Sequence, residues 1–163
     1  MAADMNKRWQ DQKVTKVDGH WVVDGRPNGD IVPAYSETPS NLPGKTVVGL
    51  KVTYPPNGAT PPHTHGGAAV FATMIRGKSC MQMVCPGEDP NGQGSRRKIF
   101  GPGESWHEPP GCHHVLSSNA SEEEECEFIA TLIVDTERIE KLGVFHALVV
   151  IDAEEEEKAQ AKV

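Results

Sequence analysis

The apolar positions along the chain follow the two-residue period of β-strands more often than the period of a helix. Residues 46–54 are rich in β-branched side chains and stop at the turn sequence 55–58, Pro-Pro-Asn-Gly. In residues 126–134 the alternation is regular, and one face carries Phe128, Ala130, Leu132 and Val134. Short strands separated by turns every 8–12 residues are typical of a β-sandwich or a β-barrel. The pattern therefore predicts an all-β fold.

The remaining predicted elements are shorter. Further strands are predicted at residues 68–75, 79–84, 98–100, 104–108, 113–116 and 147–151. The glycine-rich polar segment 86–95 is predicted to be an exposed loop, because turn-forming residues fill it and no periodic apolar face crosses it. Residues 135–142 are predicted to form a helical turn.

The two ends of the chain differ from its middle. Residues 1–30 are polar and predict an arm with one short hairpin around His20, while three prolines in residues 31–44 favour an extended run along a sheet edge. Residues 153–163 are acidic and predict a helical tail. We therefore divide the single predicted domain into an N-terminal arm with edge segments at 1–45, a barrel at 46–151 and an acidic tail at 152–163.

Composition narrows the classes of partner. The 16 Lys and Arg against 23 Asp and Glu give a formal charge of −7, which disfavours DNA and RNA as partners. No apolar run approaches the roughly 18 residues of a membrane-spanning helix, and the start lacks an apolar run of the signal-peptide type. The 4 cysteines form no CxxC pair, so we expect free thiols. A cytoplasmic protein without membrane or nucleic-acid partners is the expectation.

The first candidate for chemistry is a pair of histidines. His63 and His65 are two residues apart in extended chain, so both rings point to one face and can reach one metal ion. With 7 histidines in 163 residues such a pair arises by chance in about one of four sequences, so two exposed loop histidines are an equally good explanation of the pair alone.

A second group of residues changes that balance. Gly103 is followed by Pro109-Pro110-Gly111, His114 and Asn119, which places a histidine at the head of a strand after a turn. Here the sequence resembles the cupin superfamily, whose motifs are G(x)5HxH(x)3-4E(x)6G and G(x)5PxG(x)2H(x)3N. Gly58, His63, His65 and Gly77 match the first motif, with Gly58 one residue closer than usual, and Asn119 comes one residue late in the second. The resemblance implies a double-stranded β-helix, the small jelly-roll barrel.

The resemblance also implies a metal site that this chain alters. His63, His65 and His114 match the family's histidine ligands, but the position of its glutamate is occupied by Ala69 or Val70, depending on the spacing. The predicted site is therefore three neutral imidazoles holding a divalent ion, for which Fe, Zn, Mn and Ni all stay open. About three coordination positions stay free, and the uncompensated charge favours an anionic chelating ligand.

Neighbouring residues are assigned with less support from the motifs. His113 and His114 point to opposite faces of a strand, and the family spacing selects His114. His107 is either an inward general base or fourth ligand, or an outward solvated residue. The candidate lining of a substrate pocket is Val70, Phe71, Met74 and Trp106.

Two functions follow from these residues. The first is a metalloenzyme acting on a small oxygenated molecule, aromatic, enolisable or polyketide-like, as a dioxygenase or as a Lewis-acid cyclase, isomerase or decarboxylase. The second is a non-catalytic barrel that binds a small hydrophobic ligand or stores metal, which the missing glutamate favours. By analogy with the family fold we expect a homodimer.

Overall fold

The computed structural model describes residues 12–87 and 96–163, in which β-strands predominate. The strands are β1 (Val14–Val17), β2 (His20–Val23), β3 (Asp30–Glu37), β4 (Lys45–Tyr54), β5 (Ala59–Thr60), β6 (His63–Thr64), β7 (Ala69–Arg76), β8 (Ser79–Val84), β9 (Lys98–Phe100), β10 (Ser105–Glu108), β11 (His113–Asn119), β12 (Cys126–Asp135) and β13 (Val150–Ile151). The helices are α1 (Thr136–Leu142), α2 (Val144–Leu148) and α3 (Asp152–Gln160).

Two antiparallel sheets form the barrel. The five-stranded sheet has the order β10-β7-β12-β4-β3, and the second has the order β13-β6-β11-β8-β9 with β5 paired to β11. Strands β1 and β2 form a separate hairpin, as the turn residues of the N-terminal segment predict. The all-β jelly-roll predicted from the sequence is confirmed, with a helical C-terminal end.

The core lies between the sheets, and strand β12 shows why. Its residues alternate between buried and partly exposed, with Phe128, Ala130, Leu132 and Val134 buried as the pattern predicts. They pack with inward residues of β4 and β7, such as Val48 and Met74. Burial of each of the larger side chains, such as Leu132, contributes about 1.5–3 kcal/mol to stability. This packing fixes which face of β7 and β10 points inward.

Some predicted elements differ from the structure. Residues 147–151 were expected to form a strand, but Ala147 and Leu148 complete helix α2 and the strand β13 spans only Val150–Ile151. A short apolar run does not distinguish a buried helix from a strand. The predicted loop at 86–95 lies mostly outside the described residues, and the three-part division of the chain stays a prediction. None of the described helices is long and apolar enough to cross a membrane.

The expectation of free thiols is wrong for two of the cysteines. Cys85, just after β8, and Cys112, just before β11, form a disulfide across a sequence separation of 27 residues. Strands β8 and β11 pair with His113 opposite Val84, which brings the two cysteines together. Spacing in the sequence does not reveal this pairing. Cys80 and Cys126 are free.

Candidate metal centre

Strands β6 and β11 bring three histidines together. His63 pairs directly with His114 across the two strands, and His65 follows two residues after His63. One ring nitrogen from each lies within 4.8 Å of the others, and His63 and His114 are 4% and 3% exposed. The structure therefore places His63, His65 and His114 as one cluster, as the sequence motifs imply.

Hydrogen bonds fix which nitrogen of two rings faces the cluster. Nδ1 of His63 lies 2.8 Å from the carbonyl oxygen of Pro61, and Nδ1 of His65 lies 2.8 Å from that of Leu148. A carbonyl oxygen only accepts, so both Nδ1 atoms donate, and in the neutral rings both Nε2 atoms keep a lone pair. This is the tautomer that a metal-binding histidine needs.

The helical segment after β12 positions His65. The residue after it, Gly66, has φ of 61°, and a Cβ there would come within 2.2 Å of the carbonyl oxygen of Ala147 in α2. Glycine therefore permits the close approach of α2, whose last residue, Leu148, accepts the His65 hydrogen bond. Arg138 in α1 donates to the same Ala147 carbonyl at 2.9 Å and holds the two helices together.

A carboxylate that the sequence interpretation missed faces the histidines. Glu108, the last residue of β10, is 2% exposed. Its Oε2 lies 3.2 Å from Nε2 of His65, its Oε1 lies 3.4 Å from Nδ1 of His114, and Trp106 donates to Oε1 at 2.9 Å. The expectation that no carboxylate stands beside the cluster is therefore wrong. Alternation along β10 was the available signal: an outward His107 requires an inward Glu108.

The cluster contains buried polar atoms without a hydrogen bond. Glu108 Oε2 and both ring nitrogens of His114 have no hydrogen-bond partner in the part of the chain that the structure describes. Such atoms are costly unless a further group satisfies them. Three imidazole nitrogens beside a carboxylate are a donor set that divalent transition metals prefer. The residues present therefore fit a metal ion of the kind implied by the sequence motifs.

Burial and mutual contacts set the charges of these groups. Burial lowers the pKa of His63 well below its ordinary value, and the neighbouring His65 and His114 lower it further. Burial also lowers the pKa of His114, against the opposing charge of Glu108. For His65, the adjacent carboxylate of Glu108 outweighs burial and raises the pKa. Burial would raise the pKa of Glu108, but His114, His65 and Trp106 lower it. The carboxylate is therefore ionised.

Two of the predicted site residues lie outside the cluster. His107 and Phe71 are exposed on the outer face of the five-stranded sheet, where their rings stack with centroids 4.5 Å apart. The inward alternative for His107 and the pocket assignment of Phe71 are therefore wrong. Trp106 and Val70 take the inward positions, and the alternation of each strand forces their neighbours outward.

A small cavity of about 40 Å³ adjoins the histidines and Glu108. Val70 and Trp106 line it with other apolar side chains, whereas Met74 is buried in the core and does not line it; that this cavity binds a substrate stays a prediction. Its lining also includes Tyr54, whose hydroxyl group is hydrogen-bonded to Thr60 at 2.6 Å and Ser117 at 2.8 Å. Burial raises the pKa of Tyr54 to about 12, so the hydroxyl is neutral.

The two remaining motif residues have structural contacts. His113 points away from the cluster, and its Nε2 lies 2.6 Å from Oδ2 of Asp152 at the start of α3. The side-chain nitrogen of Asn119 donates to the carbonyl groups of Pro55 at 3.0 Å and Glu124 at 2.6 Å. Asn119 thus connects two turns. It does so although it lies one residue later than the asparagine of the family motif.

A jelly-roll barrel with a histidine cluster between its sheets defines a class of protein, and comparison with known families agrees. The family model described as Cupin matches residues 24–159. The chain belongs to the cupin family.

Individual relatives are more distant. Germin-like protein 4-1 of Oryza sativa subsp. japonica is 30% identical over 87 residues, which are 52% of this chain and 34% of that protein. The chain thus covers about a third of that relative. A recombinant oxalate oxidase in complex with glycolate superposes with a TM-score of 0.51 at 20% identity, over 68% of this chain and 56% of that one. The cupin domain of Schizosaccharomyces pombe Cnp3 gives a TM-score of 0.51 at 14% identity, over 72% and 68%. At these identities the structures show a shared fold.

Proposed function

We propose that this cupin is a metal-dependent enzyme in which His63, His65 and His114 hold one divalent ion and a small oxygenated molecule binds beside it. The observation that supports this most strongly is the set of three imidazole nitrogens within 4.8 Å. In two of the rings Nδ1 contacts a backbone carbonyl group, so Nε2 is the nitrogen that faces the cluster. Unsatisfied buried atoms on His114 and Glu108 add to that support.

The bound ion would supply either Lewis-acid polarisation of a substrate oxygen or a site for O2 activation. The protein residues supply orientation and a dry environment. The carbonyl groups of Pro61 and Leu148 hold two imidazoles in place, and Trp106 holds the carboxylate of Glu108. The hydroxyl of Tyr54 is a neutral polar group in an otherwise mostly apolar lining.

The size of the cavity limits the substrate. Its volume of about 40 Å³ is far below the ~150 Å³ of an engineered cavity that holds benzene. Among the substrates considered from the sequence, a compact enolisable or hydroxylated acid therefore fits better than an aromatic ring or a polyketide. The oxalate oxidase with the same fold is in complex with glycolate, a molecule of that size. A larger substrate would have to widen the cavity or extend out of it.

The alternative is a non-catalytic barrel that binds a hydrophobic ligand or stores metal. The missing glutamate at positions 69 and 70 was the feature that favoured it. Glu108 now provides a buried carboxylate at the cluster, so that feature no longer separates the two functions. The apolar lining of the cavity is the observation that still supports a ligand-binding role.

The decisive experiment combines metal analysis with a turnover screen. We expect about one equivalent of a divalent metal in the purified protein, and a loss of more than about tenfold in metal affinity for His63→Ala, His65→Ala and His114→Ala. His107→Ala is the matched control, because this histidine lies on the outer face. Short hydroxy and keto acids are then tested with O2 consumption as one readout and product formation without O2 as the other.

Full metal occupancy in all three alanine variants would refute the site. Stoichiometric metal without turnover of any compact acid, together with binding of hydrophobic ligands to metal-free protein, would favour the non-catalytic barrel.

A further inference from the structure

We propose that Glu108 is the fourth protein ligand of the metal, so that the site consists of three imidazoles and one carboxylate supplied by β10. This inference rests on the proposed function, because it requires an ion at the cluster. It differs from the resemblance, which places the family's carboxylate on β7, where this chain has Ala69 and Val70.

The contact between Glu108 and His65 needs a positive charge between the two atoms, either a proton on Nε2 of His65 or a metal ion. Nδ1 of His65 donates to Leu148, so in the neutral ring the lone pair of Nε2 points toward Oε2 of Glu108, 3.2 Å away. Two electron-rich atoms at this distance repel each other unless a positive charge lies between them. Two ligand atoms in adjacent positions of an octahedral ion, each bound at ~2.1 Å, are ~3.0 Å apart. The observed separation of 3.2 Å fits both a shared proton and a shared metal ion, and the Co²⁺ titration below distinguishes them.

The carboxylate is also held in a suitable orientation. Trp106 donates to Oε1 at 2.9 Å, whereas Oε2 is buried and has no hydrogen-bond partner in the described parts of the chain. An ionised carboxylate in such a place costs several kcal/mol unless a charge compensates it. One oxygen is thus fixed by the indole and the other is available to an ion.

The strand register explains how β10 replaces β7 as the source of the carboxylate. Glu108 and Val70 are direct partners across β10 and β7, and both side chains point inward at 2% exposure. Adjacent strands lie only ~4.8 Å apart, and a glutamate side chain spans that offset. The carboxylate has therefore moved by one strand without leaving the inner face of the barrel.

Ligation by Glu108 changes the charge and the free positions of the site. The carboxylate reduces the net charge of a divalent centre from 2+ to 1+. With four protein ligands, a six-coordinate ion keeps about two free positions instead of three. The site then suits a substrate that binds through one or two oxygens as a monoanion, such as a short hydroxy acid.

The test measures the affinity of the metal-free protein for Co²⁺ by competition with a chelator, and the visible absorption of the bound ion. The isosteric Glu108→Gln variant should lose more than about 100-fold in affinity, beyond the 10–100-fold typical of residues that only orient a ligand. The double variant Val70→Glu/Glu108→Val places the carboxylate on β7 and should recover to within about tenfold of the original protein. Glu140→Gln, an exposed residue of α1, is the control and should not change the affinity.

The outcomes separate this inference from the proposed function. If the original protein binds no Co²⁺, the proposed metal site fails, and this inference fails with it. If the histidine variants lose Co²⁺ but Glu108→Gln loses less than about 100-fold, the histidine site stands and ligation by Glu108 is refuted. Circular dichroism establishes that each variant is folded. Should the double variant not fold, the affinity and absorption of Glu108→Gln decide the question.

Discussion

Trp106 is a buried residue whose indole N–H donates to Glu108 at 2.9 Å. Trp106→Phe keeps an aromatic ring against Phe128 but removes the donor, which leaves one carboxylate oxygen unsatisfied. We expect the free energy of unfolding to fall by about 1–3 kcal/mol in urea titrations. Co²⁺ affinity should fall by about tenfold, because the carboxylate is less well oriented.

The control for this prediction is Trp21→Phe in the hairpin of β1 and β2, whose ring lies under the ammonium group of Lys16. A phenyl ring preserves that contact, so we expect the free energy of unfolding to fall by less than about 0.5 kcal/mol. Equal losses of Co²⁺ affinity in the two variants would contradict a specific role for the Trp106 hydrogen bond.

At the same site, protons compete with the metal for His65. Its pKa is raised because the adjacent carboxylate of Glu108 outweighs burial, whereas burial lowers the pKa of His63 and His114. His65 is therefore protonated first as the pH falls, starting above the ordinary histidine value of ~6.5. Metal affinity should fall in that range with about one proton released per Co²⁺ bound, measured by titration calorimetry in buffers of different ionisation enthalpy. A constant affinity from pH 8 to pH 5 would contradict this prediction.

On the scale of elements, the contact of helix α2 with the turn after β6 controls the position of His65. A Cβ on Gly66 would meet the carbonyl oxygen of Ala147 at 2.2 Å, whereas one on Gly67 meets nothing within 4 Å. Both glycines have positive φ, so alanine at either site costs about 1–2 kcal/mol. We expect Gly66→Ala to lower the free energy of unfolding by about 1–3 kcal/mol more than Gly67→Ala does, and to weaken Co²⁺ binding. Similar Co²⁺ affinity in the two variants would show that α2 does not position His65.

The disulfide between Cys85 and Cys112 joins β8 to the turn before β11, two residues from His114. Closing a loop of 27 residues stabilises the folded state by about 3.5 kcal/mol because it restricts the unfolded chain. In urea denaturation, the free energy of unfolding of the Cys85→Ser/Cys112→Ser variant should fall by about that amount. Cys80→Ser, which removes a free thiol, is the control. An unchanged unfolding midpoint in the double variant would contradict the crosslink.

Disulfides are rare in the cytoplasm. The cytoplasmic location expected from the sequence stays a prediction, and the Cys85–Cys112 bond argues against it. Counting free thiols in protein isolated from its own source without reductant tests the point: two reactive thiols are expected if the bond is formed, and four if it is not.

For the whole molecule, the sequence predicts a homodimer. Phe71 and Ile75 are 49% and 51% exposed on the outer face of the five-stranded sheet, so the single chain leaves apolar surface in water. Light scattering after size exclusion should give twice the mass of the chain at about 0.1 mM. The mass of one chain at that concentration would contradict the prediction.

The strands and the histidine cluster could be predicted from the sequence because both depend on local periodicity. Alternation along β12 identifies its buried face without knowledge of any partner strand, and the same rule puts His63 and His65 on one side. The turn before His114 is likewise marked by Pro109, Pro110 and Gly111.

Only the tertiary structure decided the features that depend on which strands become neighbours. The pairing of β10 with β7 places Glu108 beside His65 and opposite Val70, and the pairing of β8 with β11 brings Cys85 to Cys112. These residues are separated by 27 or more positions in sequence, so no local pattern links them. Periodicity determines which face of a strand is buried, but the packing of the sheets determines which side chains meet there.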